Sequence, residues 1–92
     1  MASWKAEGFM EDIPRQIAAL KGYLKAADAS GAERQAHTIK GASANVGGDA
    51  LAAVAFKMEI AGKAGDLGAV KARMAEMEAQ FDRLTQSITK DL

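Results

Sequence analysis

The chain has no cysteine among its 92 residues, which excludes disulfides and thiolate metal sites. It has one histidine, His37, so a metal site built from several histidines is excluded too. It has no excess of charge: 12 Lys plus Arg balance 12 Asp plus Glu. The clustered basic charge of a nucleic-acid footprint is therefore missing. The longest apolar run, Ala50–Phe56, is far short of a membrane span. The opening "MASWKAEGF" has no basic stretch leading into an apolar core. No secretion signal is visible, and a cytoplasmic setting is the default. β-Branched residues are sparse and no strand-like alternation appears. A chain of this length builds one compact domain, 1–92, with one core; Met1, Ala2 and Ser3 are compatible with a cloning scar.

What is present is helix. Alanine, leucine, lysine, glutamate and methionine dominate. The one proline, Pro14, suits a helix start, with Asp12 as a cap before it. The spacing predicts a short helix over roughly 4–11 and a longer one over about 13–28. Ile13, Ile17, Leu20 and Leu24 form the inner face of the longer one. "DASGAE" breaks it, with Ser30 as candidate cap and Glu33 three residues on. The next helix runs from about Gly31 to Asn45, with Ala32, Ala36, Ile39, Ser43 and Val46 inside. Gly47–Gly48 ends it. A following helix carries Leu51, Val54, Met58 and Ala61 inside, with Phe56 and Ile60 on the flank. The last opens at Asp66 and gives Leu67, Val70, Met74, Met77, Phe81, Leu84 and Ile88 at alternating three and four. The expected fold is all-α: an antiparallel up-down four-helix bundle with a short extra N-terminal helix, monomeric. Its core should hold Ile17, Leu20, Leu24, Ile39, Leu51, Val54, Met58, Val70, Met77, Phe81 and Leu84. A free coiled coil is the alternative for the last helix.

On a helical wheel His37 lies about 200° from Ile39, so it points away from the core. Lys40 and Gly41, three and four residues on, share its exposed face. Side chains lean toward the helix N-terminus, so a long residue at 41 would crowd the imidazole. Glycine leaves that flank open, and Lys40 brings positive charge. An open imidazole beside a cation suits a group that accepts and hands on an anion, with phosphoryl the obvious candidate. A surface histidine without function, a solvated Lys40 and a helix-contact Gly41 are the competing readings.

"AHTIKGASANVGGDAL" resembles the signature of histidine phosphotransfer (HPt) domains. The matches are Ala36, His37, Ile39 in place of leucine, Lys40, Gly41, Ala42, Ser43, Gly47 and Leu51. "KMEIAGKAGDL" resembles the family's Leu-Glu-x-Ala-x-x-x-Gly-Asp segment, with Met58 for leucine. "FMEDIPRQIAALKGYLKAAD" is similar to the helix that precedes the histidine, so the likeness covers about residues 9–88. It implies a phosphorelay carrier whose histidine takes a phosphoryl group from a receiver-domain aspartate and passes it to another. In chemotaxis-kinase relatives the phosphoryl comes instead from ATP through a separate catalytic domain. The chain has no P-loop and no room for a kinase catalytic domain. No cofactor of its own is implied; the aspartate and its magnesium ion belong to the receiver. The implied partners are response-regulator receiver domains and a sensor histidine kinase, with no nucleic acid and no membrane contact.

Position along a hairpin adds Glu59. His37 lies about eleven residues before the Gly47–Gly48 turn and Glu59 about eleven after, each roughly 16 Å from it at 1.5 Å per residue. The two should stand at one level. A glutamate there can accept from the imidazole Nδ1–H and leave Nε2 as nucleophile, a role for which relatives of the family use Glu or Gln. Lys63, one turn further, is a candidate for added charge near the phosphate. The competing reading pairs Glu59 with Lys63 at i+4. A non-catalytic bundle that docks a receiver is the second functional class. A metal or haem bundle needs several inward ligands, which an outward lone histidine does not supply. Whether the domain is free-standing or part of a hybrid sensor kinase is open.

Overall fold

The computed structural model describes residues 3–90, with side chains from Glu11 to Ser87. Met1, Ala2 and the side chain of Ile88 lie outside this range. The elements are α1 (Ser3–Lys25), α2 (Ala29–Asn45), α3 (Asp49–Lys63), α4 (Leu67–Ala72) and α5 (Met74–Lys90). α4 and α5 form one arm, so the architecture is a four-helix bundle.

The three connections share one backbone solution. Ala27, Gly47 and Gly65 all have positive φ, at 56°, 77° and 77°. The next N–H then reaches back five residues: Asp28 to the Tyr23 carbonyl at 2.9 Å, Gly48 to Ser43 at 2.8 Å, Asp66 to Ala61 at 2.9 Å. This left-handed cap satisfies the last carbonyls of one helix and turns the chain into the next. The carboxylates of Asp28 and Asp66 then cap α2 and α4, accepting from Gly31 N at 2.9 Å and Ala69 N at 3.0 Å. The cap of α2 is therefore Asp28, not Ser30. The tight turn puts Asp28 one step before the helix, facing its free N–H groups, while Ser30 already lies inside it. At the middle turn Gly48 stands in the same place without a side chain. A Cβ there would lie 2.5 Å from Leu84 Cδ2.

Pro14 does not open a helix. α1 runs through it as one element, so the helix expected over 4–11 is continuous with the next. The proline faces solvent, while neighbouring Ile13 is fully buried in line with Ile17 and Leu20. Burial on that face holds the helix across a residue whose local cost would otherwise interrupt it. Asp12 is accordingly an interior residue, accepting from Gln16 Nε2 at 2.6 Å.

The core comprises Ile13, Ile17, Leu20, Ala32, Ala36, Ile39, Leu51, Val54, Ala55, Met58, Val70, Met74 and Met77. The small α2 stripe of Ala32, Ala36, Ile39 and Ser43 is buried as its spacing requires. Three expected core residues are only half-buried: Leu24, Phe81 and Leu84. α1 ends one residue after Leu24. Leu84 covers the α2–α3 turn at the bundle end. Phe81 lines an open groove between α1 and α5 with Pro14, Ile17 and Ala18. The last arm is also not one helix. At Arg73 (φ −96°, ψ 0°) the ladder tightens to an i−3 bond onto Val70, then resumes with Met77 N on Arg73 O at 2.9 Å.

Candidate functional site

The site sits where α2 and α3 cross. Gly62 on α3 lies so close to α2 that a Cβ on it would stand 3.0 Å from Glu33 N and 3.1 Å from Glu33 Cα. This backbone approach is one helical turn from His37 along α2 and close to Glu59 along α3. It brings the two faces near enough for short side chains to meet.

His37 Nδ1 lies 2.9 Å from Glu59 Oε2. The imidazole is 65% exposed, whereas the carboxylate is only 19% exposed. Lys40 places its ammonium 2.8 Å from Glu59 Oε1. The same ammonium lies over the Phe56 ring, 5.0 Å from its centroid. Lys40 holds the Glu59 carboxyl below the ordinary glutamate range; partial burial opposes this, and His37 adds to the lowering. Glu59 is therefore ionised near neutral pH. An ionised carboxylate only accepts hydrogen bonds, so the 2.9 Å contact places a proton on Nδ1. In the neutral ring the lone pair is then on Nε2, at the open edge.

Beyond its chain neighbours and its own helix backbone, Gly41 has no heavy atom within 4 Å of where its Cβ would be. It is not a helix-contact glycine; that role belongs to Gly62. Lys63 is exposed on the last turn of α3 and makes no salt bridge with a described residue, so Glu59 pairs with His37 and Lys40 and not with Lys63. An open groove of about 450 Å³ beside the imidazole is lined by Glu33, Arg34, His37, Thr38 and Glu59. Phe56 and Ile60, one turn apart on α3, stay 49% and 53% exposed next to the site.

Sequence reasoning missed Arg34 and Gly62. Arg34 precedes His37 by three residues, the spacing that puts two side chains on one helix face. Gly62 gave no such signal, because its meaning depends on the partner helix. Among the described residues, no group of three or more His, Cys, Asp or Glu side chains could hold a metal ion. No helix of the described residues is long and apolar enough to cross a membrane.

An all-helical bundle with an outward, carboxylate-oriented histidine on its second helix defines a class of phosphotransfer module. Comparison with protein families agrees: the model of the Hpt domain matches residues 6–87. The chain belongs to the Hpt domain family, whose work is histidine phosphotransfer in two-component phosphorelays. Domains of this family interact with response-regulator receiver domains and kinases. No curated protein and no solved structure matches the chain.

Proposed function

We propose that His37 is the phosphoryl carrier of this domain, taking the group from a receiver aspartate and handing it to another. The observation that carries the reading is the exposed imidazole whose Nδ1 is engaged by Glu59 at 2.9 Å. That contact turns Nε2 outward as the nucleophile. The Nε2 lone pair attacks phosphorus in the partner's aspartyl phosphate; the P–O bond breaks and its electron pair leaves with the carboxylate. The ring becomes an N-phosphoimidazolium that keeps its Nδ1 proton, and the Glu59 carboxylate faces the new positive charge. The reverse step onto a second aspartate returns the lone pair to Nε2. A kinase catalytic domain is the other source of the group.

Gly41 gives access to the imidazole and to the partner's loops. Lys40 holds the Glu59 carboxylate that orients the ring, and Lys63 adds positive charge to the approach. Exposed Phe56 and Ile60 offer the partner an apolar contact beside the reacting atom. The magnesium ion of such a transfer resides with the receiver, and the setting is cytoplasmic. The test is incubation with a labelled, phosphorylated receiver domain. Label should appear on His37 as a phosphoramidate, labile to acid and stable to base. His37→Gln should abolish it with the helical circular dichroism intact. Label surviving in that variant would end the reading, and a wild-type chain that binds the receiver without taking label would be a docking module.

A further inference from the structure

His37 has a cation on each flank, and the two are not equivalent. At about 100° per residue, Lys40 stands about 60° to one side of His37 and Arg34 about 60° to the other. The Lys40 side faces α3, as its contacts with Glu59 and Phe56 establish. Nδ1 faces that side too, on Glu59 Oε2. Nε2 sits at the far tip of the ring, on the side opposite Nδ1, so it points outward and leans away from α3, toward the Arg34 flank. A phosphoryl group on Nε2 therefore stands on the Arg34 side of the groove.

Charge points the same way. Lys40 already neutralises Glu59. Of the residues that line the groove, Arg34 is the cation. Arg34 is exposed and makes no salt bridge with a described residue. Thr38, also in the groove, spends its hydroxyl proton on the Arg34 carbonyl at 3.1 Å and has none left to donate. A guanidinium offers paired donors that match phosphoryl oxygens.

We infer that Arg34 binds the phosphoryl oxygens of phosphorylated His37, and that Lys40 is a positioning residue acting through Glu59. The inference rests on the phosphocarrier reading and assigns its anion contact.

The test uses phosphoramidate, a small donor that passes its phosphoryl group to an imidazole nitrogen and releases ammonia. No partner protein is then needed. Arg34→Ala should lower the rate of His37 labelling about fivefold, the upper range for an exposed charge pair, with helicity unchanged. Arg34→Lys should recover part of the rate, and high salt should shrink the difference. Double variants separate the two cations. Adding Lys40→Ala to Glu59→Ala should cost little more than Glu59→Ala alone. Adding Arg34→Ala should cost its full factor again. Wild-type labelling with an unaffected Arg34→Ala overturns the assignment alone, and so does a full extra loss from Lys40→Ala in the Glu59→Ala background. A wild-type chain that takes no label at His37 overturns the carrier reading itself.

Discussion

Glu59 Oε2 lies 2.9 Å from His37 Nδ1, although 22 residues separate them in the chain. Its other oxygen lies 2.8 Å from Lys40 Nζ. One carboxylate thus links two residues of α2 from the facing helix, and the ring it holds is the most solvent-exposed member of the trio.

The ionisation of Glu59 follows from that arrangement. Its carboxyl sits below the ordinary glutamate range, first because of Lys40. A depressed carboxyl contributes stability that is present above its unfolded value and is lost as pH falls through its folded value. Carboxyl-carbon NMR should therefore find the Glu59 midpoint below that of exposed glutamates. Lys40→Ala should move the midpoint upward, and a midpoint that stays put would deny Lys40 its hold on the carboxylate. In parallel, Glu59→Ala should slow phosphoryl uptake at neutral pH while leaving the fold intact; an unchanged rate would reject Glu59 as an orienting group.

Ala27 occupies the left-handed cap position that Gly47 and Gly65 fill in the other two turns. A Cβ in this conformation costs roughly 1–2 kcal/mol, part of which glycine returns as unfolded-state entropy. Ala27→Gly should stabilise the domain by about 0.5–1 kcal/mol in denaturant unfolding, with no change in labelling. A loss of stability would show that the α1–α2 turn relaxes the strain in some other way.

Phe81 is half-buried beside the α1–α5 groove. Removing a fully buried phenylalanine costs about 3–5 kcal/mol. Phe81→Ala should fall below that, at about 1–3 kcal/mol, because part of the ring is already in water. A loss at the top of the full-burial range would mean that the groove closes over Phe81 in solution.

Much of this architecture is legible in the sequence, because burial on a helix follows a 3.6-residue period. Ile17, Leu20, Ile39, Leu51, Val54, Met58, Val70 and Met77 all belong to the buried core. Counting from the Gly47–Gly48 turn places Glu59 level with His37, since an antiparallel hairpin keeps equidistant residues side by side. What local rules could not deliver depends on tertiary contact. Pro14 reads as a helix start, but the burial of Ile13 next to it decides otherwise. Arg73 has neither glycine nor proline beside it to signal the tightened turn. Lys40 reads as a free cation on its own wheel; only the facing helix shows that Glu59 has taken its charge.

The two glycines that flank the site from opposite helices should respond to substitution in opposite ways. Both lie inside helices, where glycine costs roughly 1 kcal/mol relative to alanine. Gly62 has the Glu33 backbone 3.0–3.1 Å from its would-be Cβ. Gly62→Ala must push α2 and α3 apart by tenths of an ångström. It should destabilise by about 1–3 kcal/mol, as overpacking does, and loosen the Glu59–His37 contact, slowing phosphoryl uptake even from a small donor. Gly41 has open space around it, so Gly41→Gln should stabilise the helix by up to about 1 kcal/mol. Its effect on transfer should depend on the size of the donor: a sharp fall with a receiver domain, whose loops must pass over that flank, and a smaller one with phosphoramidate. A Gly41→Gln variant that is more stable and exchanges phosphoryl with the receiver at the wild-type rate would show that the glycine is not there for access.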